Sequence, residues 1–419
     1  MKNSLVLSAV SLLSASAFAV LPQVDPSTVS VAQDGLGSKV TVSYRLTNAD
    51  GIVTVDIQTN ALADATGAWA SVGAGNLRTL VGDVNKLVAA SNVTRTVVWF
   101  PDREEGLAGR TLGKVRAVVK AWSEKQPPDY LVIDLELPNV RRYYTCAEAL
   151  PDGGLTNAVY RRSRLVMRRI PAAGATFRMG PTPEEKKEIK VGSDVAHSVS
   201  FTNDFYMGVF HLTQGQTFCV TNSSVQTTSA GWKAGDAYVL GIVTWANVRG
   251  DGLAGSDYDW PAKGHAVDPN SVIGRLRART GVEFDLPTEA QWEFACRAGT
   301  TSFYNDGSYT TNTVPDIAVC RLTAGYYAGE VGTKKPNAWG LYDMHGLIYD
   351  MCLDWYAANS STAPVVEPVG PSTGTKRVRR GGSFLQDEWN VSSAERGEGT
   401  LDMSGYNSYR LIAPLSLKW

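Results

Sequence analysis

Cysteine is scarce in this chain and histidine scarcer: five cysteines and four histidines in 419 residues. The cysteines (Cys146, Cys219, Cys296, Cys320, Cys352) are widely spaced, which is not a zinc-ligand pattern. No stretch beyond the first residues reaches the roughly 20 apolar positions that a membrane-spanning helix needs. Positive and negative charge nearly cancel, at a net −1, so nothing points to nucleic acid or a membrane surface as partner. Several catalytic signatures are also missing: G-x-S-x-G, H-E-x-x-H and a phosphate loop. Gly250–Gly255 is rich in glycine but lacks the Lys and Ser/Thr of such a loop, and reads as a surface turn.

What is present begins with a leader. Lys2, the apolar stretch Leu5–Leu13 and Ala17-Phe18-Ala19 make residues 1–19 a secretory signal, so the remainder is expected to be exported, to periplasm or medium. No cysteine follows the cleavage site, which argues against a lipid anchor. Five cysteines is odd for an exported chain, so at least one stays free or pairs between molecules. Roughly 400 mature residues exceed one ordinary core and imply two domains.

Residues 20–140 alternate with period two, as in Val40-Thr41-Val42-Ser43-Tyr44 and Ile52-Val53-Thr54-Val55-Asp56-Ile57, with Asn48-Ala49-Asp50-Gly51 as the turn between. Thr94–Trp99, Val115–Trp122 and Tyr130–Leu135 continue the series. This predicts a β-sandwich of immunoglobulin or fibronectin type. Residues 141–164 read as a connector whose arginines form a solvated or interdomain face. Residues 165–419 form the second unit, and the whole is α+β. Two helices are placed in that unit. One starts at Asp268-Pro269 and stops at Gly281. The other is capped by Thr288 with Gln291 three residues on, ends at Gly299 and buries Trp292, Ala295 and Cys296.

Three blocks follow in order: LPTEAQWEFACRAG (Leu286–Gly299), VGTKKPNAWGLYDMHGLIYDMCLDWY (Val331–Tyr356) and RVRRGGSF (Arg377–Phe384). They resemble the formylglycine-generating, or sulfatase-modifying factor, family, with its LPTEAEWEYACRGG, PNxxGLYDMxGNVWEW and RVxRGGSW. Ala172–Gly180, Phe205–Thr213 and Val243-Thr244-Trp245 are similar to further blocks, with His211 where the family usually has Glu. The resemblance implies a loop-rich fold of C-type-lectin-like type.

The family's oxidases hold copper(I) on two cysteines after the GGS block, because soft thiolates select that ion. Here the first such position is Gln386, the second falls near Val391, and no cysteine follows Cys352. Copper is therefore not expected, nor formylglycine generation by that route. Related iron enzymes use a histidine-rich site, whereas His197, His211, His265 and His345 lie in unrelated segments, so iron is not supported either.

The family's calcium loop carries over as Asp343, the carbonyls of Gly346 and Ile348, and Asp350, which replaces Glu. Hard oxygen ligands in irregular geometry suit that ion, so structural calcium is expected. A ligand groove is expected to include Gln386, Trp389, Asn390, Arg396 and Tyr409. The resulting expectation is an exported, non-catalytic binding or structural member of the family, its ligand a peptide, protein or glycan. The rival is an oxidase, formylglycine-generating or of the non-heme iron kind, with a different metal arrangement.

Overall fold

The computed structural model describes residues 20–34, 38–61, 66–110, 112–188, 194–223, 231–241, 243–325, 327–359, 361–403 and 405–415. The expected leader lies outside them.

The alternating segments near the start build two four-stranded antiparallel sheets. One runs Ser30–Gln33, Val40–Tyr44, Arg95–Trp99, Val81–Gly82. In the other, Gly51–Asn60 pairs along its length with Lys114–Trp122 and, on its other side, with Ala70–Ser71 and Lys86–Val88. Strand Val40–Tyr44 buries every second residue, and Val40, Val42, Ile57, Val97 and Trp99 meet in a single apolar cluster fed by both sheets. Each fully buried aliphatic side chain there contributes about 1.5–3 kcal/mol. Trp99 also satisfies its indole, donating to the Asn76 carbonyl at 2.9 Å and to Glu104 at 3.2 Å.

The boundary expected at residue 140 is crossed by a sheet. Tyr130–Asp134 pairs on one side with Arg141–Tyr144 and on the other with Arg164–Ile170. Phe205–Gly208 and Ile412–Pro414 complete this five-stranded layer. Tyr130-Leu131-Val132-Ile133 is a continuous apolar run without alternation, the pattern of a strand covered on both faces rather than of a half-exposed one. All four residues are buried. The segment 141–164 is correspondingly more than a solvated connector. Tyr143, Tyr144 and Tyr160 are buried and Arg141 is inserted against the Thr280 carbonyl. Ile52, from the first unit, shares a cluster with Leu131, Tyr143 and Trp245, so the two units pack together.

Helices in the second unit are short and their ends are defined by caps. The helix expected from Asp268-Pro269 spans Val272–Thr280, with Ser271 as N-cap and Gly281, at φ 65°, as its stop. Asp268 instead organises the turn before it, its carboxylate accepting from the Asn270 amide and its carbonyl from Ser271. Helix Glu289–Arg297 carries the expected reciprocal box between Thr288 and Gln291. Trp292, Ala295 and Cys296 are buried, and so are Glu293 and Arg297, one turn apart. Against this helix lies a sheet ordered Arg396–Gly399, Arg377–Arg380, Tyr349–Trp355, Asn407–Ser408, whose strand Tyr349–Trp355 is buried throughout. The fold is thus mixed α+β, rich in sheet. Among the described residues no helix is long and apolar enough to cross a membrane.

Candidate functional site

The GGS block turns sharply after strand Arg377–Arg380. Gly381 and Gly382 have φ 87° and 78°, and a Cβ on Gly382 would meet the Asn390 carbonyl at 2.5 Å. This close approach brings the loop of Gln386, Trp389 and Asn390 onto the block. The Gln386 amide donates to the Ser383 carbonyl, and its own carbonyl accepts from the Arg321 amide, both at 2.9 Å. Trp389 packs edge-on to Phe303 at 5.7 Å. Val391 is fully buried among Phe303, Tyr304 and Cys320.

The other two residues expected in a groove with this loop are elsewhere. Tyr409 is sealed in the core, its hydroxyl 3.4 Å from the Val243 carbonyl. Arg396 forms a two-point pair with Glu289 (2.5 and 2.8 Å) and reaches Asp194 at 2.8 Å. The five residues do not form one groove. Position after the GGS block fixes the chain's path, but alternate residues of a strand face opposite ways. Arg396 lines a separate cavity of about 530 Å³ that also contacts Glu289 and Asp354.

The loop expected to hold calcium is locked by nitrogen donors. Asp350 Oδ2 accepts from Trp292 Nε1 at 2.9 Å and Arg410 Nε at 3.2 Å, while Oδ1 lies 3.1 Å from His211 Nε2. Arg410 Nη2 approaches His211 Nδ1 at 3.3 Å. Arg410 also donates to the carbonyls of Gly208, Val209 and Tyr342. Burial alone would raise the Asp350 carboxyl, but His211 and Arg410 overcome it and hold the group at about 2. Asp343, at φ 56°, accepts from the Gly332 amide at 2.6 Å through Oδ2 and leaves Oδ1 buried without a donor. Burial raises its pKa, against the opposing pull of His211 and Arg410. The Gly346 carbonyl accepts from the Ile348 amide at 2.8 Å.

A family model of the sulfatase-modifying factor enzyme 1-like domain matches residues 160–408. The chain belongs to this family. It is 25% identical over 273 residues to the formylglycine-generating enzyme of Bos taurus, covering 57% of this chain and 72% of that one. It is 37% identical over 120 residues to the formylglycine-generating enzyme of Thermomonospora curvata, 25% of this chain and 39% of that one. Among solved structures, PvdO from Pseudomonas aeruginosa superposes with a TM-score of 0.47 at 18% identity, over 59% of this chain and 94% of that one.

Within the sulfatase-modifying factor family, the two metals that the resemblance implies can be tested on these residues. Copper(I) requires a thiolate pair, and the aligned positions offer the Gln386 amide and the Val391 isopropyl group. Nearby, Cys296 contacts the Met344 carbonyl and Ser393 Oγ, and burial pushes its thiol up to about 12, so it stays protonated. The residues do not fit copper. Calcium requires some six to eight oxygens, yet Asp350 Oδ2 is taken by Trp292 and Arg410 and the Gly346 carbonyl accepts from the Ile348 amide. Among the described residues no group of three or more His, Cys, Asp or Glu could hold a metal. Of the side-chain oxygens expected to serve, Asp343 Oδ1 and Asp350 Oδ1 are the two without a hydrogen-bond donor among the described residues, well short of the shell that calcium takes, so the set does not fit calcium.

The histidines are equally dispersed. His197 accepts from Asn359, His265 meets Asp285 at 2.7 Å, and His345 hydrogen-bonds the Val391 carbonyl and the Asn305 amide. The residue that sequence reasoning missed is Arg410, which directly follows the expected groove residue Tyr409. The two departures noted separately, His211 for Glu and Asp350 for Glu, prove to be partners.

Proposed function

We propose that this protein is a non-catalytic, exported recognition member of the sulfatase-modifying factor family. In this reading the N-terminal sheets form a β-sandwich that carries the second unit, which binds a ligand without oxidising it. One observation carries the proposal. The two places where the family's oxidases present copper thiolates hold an amide side chain and a buried isopropyl group, and the only thiols in contact with that region are shielded ones. A Gln carboxamide is a hard, neutral donor and does not substitute for a thiolate toward copper(I). Asp350, held by Trp292 and Arg410, supports a loop that holds its shape without a metal.

The test is direct. The mature chain, loaded with copper under oxygen, is incubated with a cysteine-containing sulfatase peptide and the product is analysed by mass spectrometry for the aldehyde. No aldehyde above a protein-free blank is expected. Copper-dependent aldehyde formation would overturn the reading in favour of an oxidase.

A further inference from the structure

The cavity beside Arg396 opens between the N-terminus of helix Glu289–Arg297, the end of strand Tyr349–Trp355 and the segment around Val365–Val366. Its volume, about 530 Å³, lies within the range of about 300–1,000 Å³ usual for small-molecule sites. Five carboxylates contact it (Asp194, Glu289, Glu293, Asp354, Glu367) against the guanidinium of Arg396.

Four of the five are provided for. Asp194 and Glu289 pair with Arg396, Glu293 with Arg297 and Arg380 behind the wall, and Glu367 accepts from Thr202. Asp354 is the exception. It is 4% exposed, it makes no ion pair among the described residues, and its donors are the Glu289 amide, 2.8 Å from Oδ2, and its own amide. Its other oxygen is turned to Gly370, which lines the cavity and whose Cβ, were there one, would lie 3.1 Å from Oδ1. Much of the remaining wall is apolar, from Ala290, Trp355, Val365, Val369 and Pro371.

We propose that this cavity binds a small organic cation, an amine or guanidinium on an apolar body, with Asp354 as its counter-charge. An anion would face five carboxylates. A hard metal ion would find one free carboxylate among apolar groups, too few oxygens for its shell. The groups around Asp354 are Glu289 on the helix, Arg396 and Arg377 on neighbouring strands, Cys352 on its own strand, and His197 and Glu367 at the cavity wall. Burial, followed by the charge of Glu289, pushes the Asp354 carboxyl up to about 7. At neutral pH the free site therefore holds a proton part of the time. A cation binds the ionised form, so binding expels that proton and tightens as pH rises through 7.

This gives the recognition reading a ligand class at a place that does not include Gln386, so the aldehyde assay and the following test fail independently. The mature chain is titrated calorimetrically at pH 7 with agmatine and with phenethylamine, each in two buffers of different ionisation enthalpy. N-acetylphenethylamine is the uncharged control. Expected are binding of at least one amine with net proton release, and roughly tenfold or greater weakening, about 1.4 kcal/mol, for the acetylated control and for Asp354→Asn. Proton release is read on the unaltered chain and decides the matter even if Asp354→Asn fails to fold. Absence of binding by both amines, binding without proton release, or equally tight binding of the control overturns the proposal.

Discussion

Replacing Asp350 by Asn separates a calcium loop from an ion-paired one. Asparagine keeps the shape and an acceptor oxygen for Trp292 Nε1 and Arg410 Nε, and removes the charge that faces His211 and Arg410. Asp350 is 1% exposed, so solvent screening is slight. Its carboxyl lies at about 2 against an ordinary 3.8. That difference, 3.8 minus 2, corresponds to about 2.4 kcal/mol of stability at neutral pH. Removing one member of a buried pair and leaving Arg410 uncompensated costs about 3–5 kcal/mol. The expected loss is thus about 2–5 kcal/mol, and it appears in chelator. Were calcium the partner, the chelated variant would match the chelated parent and only the calcium-dependent gain would disappear. The assay is urea unfolding of parent and Asp350→Asn at pH 7 in excess chelator, repeated in acid. Because the folded-state pKa is depressed, the contribution is present above pH 3.8 and is lost as pH falls toward 2, so the gap between the proteins should close there. Equal stability of the two in chelator at pH 7, with a calcium-dependent gain in the parent alone, would refute the ion-pair account.

Three further outcomes follow from the same geometry. Glu293→Gln leaves Arg297 and Arg380 facing a neutral group in a fully buried setting, and should cost about 3–5 kcal/mol in the same unfolding assay. Burial holds His345 down to about 4 against an ordinary 6.5. The unfolded chain therefore binds the extra proton between those values and stability falls by about 3.4 kcal/mol in all on acidification from well above 6.5 to well below 4; stability curves of His345→Gln should be flatter across that window. A fragment of residues 20–140 ends in the strand Tyr130–Asp134 without its Arg164–Ile170 neighbour, and should scatter light more strongly than one of residues 20–126, whose two sheets are complete.

Much of the architecture is written locally. Thr288 and Gln291 announce a helix start that needs nothing from the rest of the chain, and alternation in Val40–Tyr44 specifies which face is buried. Sequence alone misplaced Tyr130–Asp134 because grouping by order along the chain took precedence over its unbroken apolar run. The site was less legible. Asp350 is fixed by His211, Trp292 and Arg410, which lie 139, 58 and 60 positions away, and no short motif encodes such a meeting. Aspartates at turn positions look alike whether a metal or a guanidinium answers them. The cavity draws Asp194, Glu289, Asp354 and Arg396 from separate blocks, each of which has a sufficient local reason to exist.

The five-stranded layer also has a consequence for synthesis on the ribosome. Its central strand Arg164–Ile170 is made early, yet Phe205–Gly208 is flanked on its far side only by Ile412–Pro414. Until residue 414 emerges, Phe205–Gly208 presents an unpaired backbone edge to whatever is near. The N-terminal sheets close entirely within residues 30–122 and can settle while the remainder is still being translated. The nascent chain thus carries a finished head and an open-edged body for roughly two hundred residues, from Gly208 to Pro414, the interval in which a holding chaperone has most to protect.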